Sequence, residues 1–170
     1  MSVYLSIGLG SWHATDAVSL PIASTTFPNL TLGAFSAESV YSPDDVSALL
    51  RYAKDRGVRI VLELDMPGHN WAYSVAFPHL FANCSGEKGL PIATEFWQDA
   101  FDPTQPALYE FVESLLEEMT KRFPDSVMHL VRCTATQPLD HTASLILIRL
   151  ATWVLTTLLL MLMRLLMALR

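Results

Sequence analysis

The sequence has little cysteine, little positive charge over most of its length, and no internal repeat. Only Cys84 and Cys133 occur in 170 residues. Two thiols do not define a disulfide framework, and one bridge or two unrelated thiols are both open. Residues 1–130 hold 7 Lys and Arg against 16 Asp and Glu. Phosphate binding needs clustered Lys and Arg, so this balance argues against nucleic acid as a partner. The first residues, MSVYLSIGLGSW, lack a basic flank, and their apolar stretch is short and broken by Ser and Gly. No signal peptide is expected there. Two glycosylation sequons, Asn29-Leu30-Thr31 and Asn83-Cys84-Ser85, hint at a secretory route without showing it.

What is present divides near residue 130. The chain is long enough for one domain with a real core. Residues 131–170 reverse the charge, with 4 basic residues and 1 acidic, and 144–170 reads SLILIRLATWVLTTLLLMLMRLLMALR. A hydrophobic helix is expected in this tail, with 143–163 as a possible membrane helix. Arg149 and Arg164 leave 14 uncharged residues between them. A central Arg costs about 2.5–3.5 kcal/mol on insertion scales, which leucines can offset. A membrane anchor and a Leu-rich non-native segment are the competing readings of the tail.

Local signals predict the elements of the first part. Residues 3–9 read as a strand, followed by a loop through WHATDAVSLP and a long connection over 22–41. Ser42 is a good N-cap, Pro43 suits the first helical position, and Asp44 and Asp45 favour the positive helix end. Val46, Leu49, Leu50 and Ala53 form that helix's apolar stripe, and Gly57 ends it in a left-handed cap. Strand 58–65 is apolar on both faces, as a parallel strand covered by helices should be. An aromatic-rich loop over 66–101 follows. Asp102-Pro103-Thr104-Gln105 opens a second helix with Gln105 placed for a capping box, and Phe123-Pro124 stops it. SVMHLV, 126–131, is a further buried strand. The order strand, helix, strand, helix, strand argues for an α/β fold with a parallel sheet. Ligands then sit at the carboxyl ends of the strands, where WHATD (12–16) and ELDMPGH (63–69) both fall.

Asp16 and His69 are placed to meet above the sheet, where a carboxylate fixes an imidazole's tautomer and raises its basicity. The alternative is that each satisfies a loop backbone group. Glu63, Asp65 and His69 offer O and N donors for a metal, but His69 lies past a turn from the other two. Trp12, Trp71 and Trp97 either stack on sugar rings or fill the core, the commoner fate of a single Trp.

SWHATDAVSLPI, TFPNL, VYSPDDVSALLRYAKDRGVRIVLELDMPGHNWA and FPDSVMHL, in that order over roughly residues 11–130, strongly resemble the β-N-acetylhexosaminidases of glycoside hydrolase family 20. The resemblance implies part of a (β/α)8 barrel, about strands 2 to 4, and release of terminal N-acetylglucosamine or N-acetylgalactosamine from glycans. In that family the substrate's acetamido group is the nucleophile. An Asp orients it and a neighbouring Glu is the general acid. Carried over, Asp16 and His69 hydrogen-bond each other and support that Glu, and Asp65 helps hold the loop bearing His69. Trp71 is a substrate-contacting candidate. No metal or cofactor is implied. The family's setting is secreted, lysosomal or vacuolar.

The departures bear on activity. Where the family pattern reads H-x-G-G-D-E, this chain has His129, Leu130, Val131, Arg132, Cys133 and Thr134. The Asp–Glu pair therefore falls on Cys133 and Thr134, neither of which supplies a carboxylate. Ala17 and Val18 replace the Asp-Gln that commonly follows Asp16, and the substrate-binding Arg of strand 1 is absent. Cys84 resembles a loop cysteine that pairs, in some relatives, beyond the catalytic Glu; Cys133 is not the equivalent of that partner. The expectation is an inactive fragment, or translated intron or out-of-frame sequence at both ends. The alternatives are a sugar-binding or membrane-anchored pseudoenzyme and a small membrane protein. Three strands cannot close a barrel, so weak folding with unpaired sheet edges is also expected.

Overall fold

A computed structural model of the chain describes residues 3–6, 8–82, 100–132 and 144–149. One five-stranded sheet organises it, in the order β1 (Val3–Ser6), β2 (Leu9–His13), β3 (Arg59–Asp65), β4 (Val127–Arg132), β5 (Ser144–Arg149). The three central strands are parallel, as the alternation of strands and helices implies. Helix α1 (Pro43–Lys54) connects β2 to β3, and α3 (Pro106–Arg122) connects β3 to β4. The short helix α2 (Trp71–Ser74) lies within the second connection.

Both edge strands run antiparallel and correct the sequence expectation. The first predicted strand is two: β1 turns at Gly8, φ 78°, and the chain returns as β2. Trp12 and His13 thus lie on a strand, not in a loop. Leu-Gly-Ser reads locally as turn chemistry, and pairing with β3 overrides it. At the other edge, residues 144–149, expected to begin a hydrophobic helix, pair with β4. A short apolar run does not distinguish helix from buried strand by periodicity. The outer edge of β4 is therefore paired, and β1 and β5 stand at the two ends of the sheet. Among the described residues no helix is long and apolar enough to cross a membrane. The rest of the proposed membrane helix, like Cys84, Trp97, Cys133 and Thr134, lies outside the described residues.

The helices follow their local signals closely. Ser42 Oγ accepts from the Asp45 N–H at 3.1 Å while Asp45 Oδ2 accepts from the Ser42 N–H at 2.9 Å, a reciprocal capping box. Gly57 has φ 68°, and the chain re-enters the sheet two residues later. Helix α3 begins later than predicted, at Pro106. Asp102 first closes a turn, accepting from the N–H and hydroxyl of Thr104, and Gln105 Nε2 donates to it instead of capping the helix. Along α3, Leu108, Phe111, Val112, Leu115, Leu116 and Met119 are buried, as their 3.6-residue spacing predicts. Each such burial contributes roughly 1.5–3 kcal/mol.

Two contacts lock the long connections that carry the site. Gly33 lies so close to α2 that a Cβ there would meet the Ala72 carbonyl oxygen at 2.1 Å, so only glycine permits this approach. Glu118 on α3 gathers the segment after β2. Its carboxylate accepts from Ser24 Oγ at 2.5 Å, the Thr25 N–H at 2.8 Å and the Thr26 N–H at 3.1 Å, and pairs with Arg122 at 2.6 Å. Burial alone would raise its pKa, but the donors around it hold it at about 2.

Because the folded pKa of Glu118 lies below its unfolded value, it stabilises the fold above about pH 4.5 and loses that contribution as pH falls towards 2. Urea unfolding at pH 7 should find Glu118→Gln roughly 2–3 kcal/mol less stable, with the deficit shrinking towards pH 3. A deficit that does not change with pH would contradict this role.

Candidate functional site

Strand register builds the site. His13 of β2 lies opposite Glu63 of β3, and Glu63 lies opposite His129 of β4. Side chains at matched positions of neighbouring parallel strands share a face, so two imidazoles flank one carboxylate. Glu63 Oε1 is 3.0 Å from His13 Nδ1, and Oε2 is 2.6 Å from His129 Nδ1. Ser11 Oγ donates to Oε2 at 2.5 Å. Glu63 is buried, which alone would push its pKa up; His13, Ser11 and the His129 charge hold it at about 2. His13 is raised in turn, chiefly through its bond to Glu63 and against the effect of burial.

Two residues further along the same face, Asp65 is buried at 4% exposure. Its backbone N–H donates to Thr15 Oγ1 at 3.0 Å, and the Ala14 N–H donates to the Glu63 carbonyl at 3.1 Å. These bonds continue the β2–β3 pairing beyond His13 and bring the loop back over the strand end. Asp16 is then set by a tight turn with Ser19. Asp16 Oδ2 and Asp65 Oδ2 each lie 3.7 Å from His13 Nε2. Burial raises Asp65 to about 7, against the attraction of His13 and His69.

His69 approaches from the loop after β3 with φ 59°, a left-handed conformation that non-glycine residues seldom adopt. Strain of this kind persists only where surroundings impose it. Here the following Asn70 is fully buried, Tyr73 N–H donates to its carbonyl, and the Pro67 carbonyl accepts from Phe101 N–H. His69 Nδ1 lies 3.9 Å from Asp16 Oδ1. The pair expected from sequence is therefore brought together, at ion-pair distance and not at hydrogen-bond distance.

The other candidates separate cleanly. Trp12 belongs to the core, edge-on to Tyr41 at 5.2 Å and to Phe123 at 5.9 Å. Trp71 opens α2 and is 37% exposed, beside His69 in the chain. Glu63 is not available as a metal ligand in the sense first weighed, since both its oxygens face imidazole nitrogens. His13 and His129 are the residues that sequence reasoning missed. Their signal was the alignment of one acid with two histidines on adjacent strands, which appears only when the register is known.

The catalytic-domain model of glycosyl hydrolase family 20 matches residues 10–131. The chain belongs to this family. Within it, the chain is 37% identical over 122 residues to Beta-hexosaminidase subunit A1 of Dictyostelium discoideum, covering 69% of this chain and 21% of that one. It is 34% identical over 123 residues to Beta-hexosaminidase subunit beta of Homo sapiens, covering 70% and 21%. The chain spans about a fifth of the length of the curated relatives it matches. Among solved structures, the beta-N-acetylhexosaminidase from Bacteroides fragilis superposes with a TM-score of 0.59 at 29% identity, over 72% of this chain and 25% of that one. These matches make the fold an α/β partial domain of the family-20 kind, and the site lies at the carboxyl ends of its parallel strands.

Ser11 tests how the family-20 strand ends are held. Ser11→Ala removes a half-buried donor from an ionised carboxylate and should cost about 1.5–3 kcal/mol in urea unfolding at pH 7. A loss below about 0.5 kcal/mol would mean that the two histidines hold Glu63 without it.

Proposed function

We propose that this chain is a piece of an incomplete (β/α)8 barrel of a β-N-acetylhexosaminidase, and that it carries the support for the general acid without carrying the acid. The observation behind this reading is the approach of Asp16 to His69, at 3.9 Å, above the ends of β2 and β3. In that role the Asp16 carboxylate orients the His69 imidazole, and the imidazole in turn faces the acid of the next strand. Asp65 would help hold the loop that bears His69, while its backbone N–H holds the Asp16 loop through Thr15. The substrate class that follows is glycans ending in N-acetylglucosamine or N-acetylgalactosamine, and the setting that follows is secreted, lysosomal or vacuolar. Asn29, in the first sequon, is exposed.

The positions that the family pattern assigns to the orienting Asp and the acid Glu are Cys133 and Thr134. Without them the substrate's acetamido group has no partner and the leaving oxygen has no proton donor. Each loss removes orders of magnitude in rate. The purified chain should therefore hydrolyse a chromogenic N-acetylglucosaminide no faster than buffer. Turnover above that level, abolished by Asp16→Asn, would overturn the reading.

One observation favours a second reading, a sugar-binding pseudoenzyme. Trp71 stands partly exposed at the start of α2, beside His69, where an indole face can stack on a pyranose. Saturable binding of N-acetylglucosamine, lost in Trp71→Ala with an unchanged circular dichroism spectrum, would establish it. A membrane-anchored variant of this reading draws no support from residues 144–149, which lie in the sheet.

A further inference from the structure

We propose that His13, Asp16 and Asp65 form a site for a divalent cation of the zinc class, joining the loop after β2 to the end of β3. One ligand atom from each residue lies within 4.8 Å of the others. His13 Nε2 is 3.7 Å from Asp16 Oδ2 and 3.7 Å from Asp65 Oδ2. Around a tetrahedral zinc with bonds of about 2.0–2.2 Å, donors sit roughly 3.3–3.6 Å apart. The two distances to His13 need to close by only a few tenths of an ångström, and the two aspartate oxygens, within 4.8 Å of each other, by up to about 1 Å.

The tautomer of His13 makes the arrangement directional. Glu63 Oε1 lies 3.0 Å from Nδ1, close enough to favour the ring proton on Nδ1 although the angle between them is not that of a formed hydrogen bond, and Nε2 is the nitrogen nearest the two aspartates. A carboxylate behind a ligating histidine is the usual way a metal site fixes ring orientation and basicity. Ser11 and His129 fix that carboxylate in turn. The independent observation is Asp65 itself. Its side chain is 5% exposed, it faces His13, and its Oδ1 has no hydrogen-bond partner among the described residues. A buried carboxylate with one oxygen left without a donor calls for a proton or a cation near it.

One imidazole nitrogen with two carboxylate oxygens suits zinc better than calcium, which takes six to eight oxygens, or copper(I), which prefers sulfur. Asp16, with its side chain 45% exposed, leaves a solvent-facing side for a fourth ligand. This trio differs from the Glu63, Asp65 and His69 set that the sequence suggests, because Glu63 acts behind His13. The inference does not depend on the proposed function. It uses Asp16 Oδ2, whereas Asp16 Oδ1 faces His69.

The test is titration of zinc chloride into the full chain carrying Cys84→Ser and Cys133→Ser, which removes the competing thiols. Calorimetry should show one saturable zinc per chain. Cobalt(II) in its place should give a tetrahedral visible absorption band. Asp16→Asn, on the solvent side, should weaken zinc binding by roughly tenfold or more with an unchanged circular dichroism spectrum, and Asp44→Asn on α1 should leave it unchanged. No saturable uptake, or uptake equally tight in Asp16→Asn and in His13→Gln, would overturn the site. The first of those results would assign the Asp65 charge to a protonated His13.

Discussion

The buried carboxylate of Glu63 is the interaction on which the rest depends. It sits on the middle strand of the parallel set, with Oε1 facing His13 of β2 and Oε2 shared between His129 of β4 and Ser11 of β2. Ionised and buried, it would be costly alone, and the flanking groups make it favourable. The consequence is mutual. Glu63 needs His13, Ser11 and His129, and each of those side chains is aimed by Glu63. A neutral residue at position 63 would leave two imidazoles near the core without a shared partner.

From that centre the site spreads outward in steps. Fixing Nδ1 of His13 turns Nε2 towards Asp16 and Asp65, and fixing Asp16 brings its other oxygen towards His69. The loops have their own supports. Gly33 lets the 3-10 turn Pro28–Gly33 seat directly on α2, and Glu118 ties the same connection to α3. The strained backbone at His69 is borne by the buried Asn70 and by the bond from Phe101 to Pro67. The polar machinery therefore stands at the strand ends while the apolar stripe of α3 covers the sheet beneath it.

What the sequence made legible was local. The start of α1 follows from Ser42, Pro43 and Asp45, and its end from Gly57, because caps are written in adjacent residues. The α3 stripe and the apolar β3 run follow from periodicity. The start of β2 at Leu9, the strand at 144–149 and the role of His13 were not legible, since each depends on which strand pairs with which. Asp16 and His69 were found through the motifs that carry them, and Glu63 was seen as a candidate but given the wrong partner. An acid and two histidines that are 50 and 66 residues distant on either side of it form a pattern only after the register is set.

The direct test of this account is a double-mutant cycle on Glu63→Gln and His129→Ala, read by urea unfolding of the full chain at pH 7. The account predicts a coupling of about 1.5–3 kcal/mol, with either single change removing most of what both remove. Additive losses, with a coupling within about 0.5 kcal/mol of zero, would contradict it and place the organising contact elsewhere in the sheet.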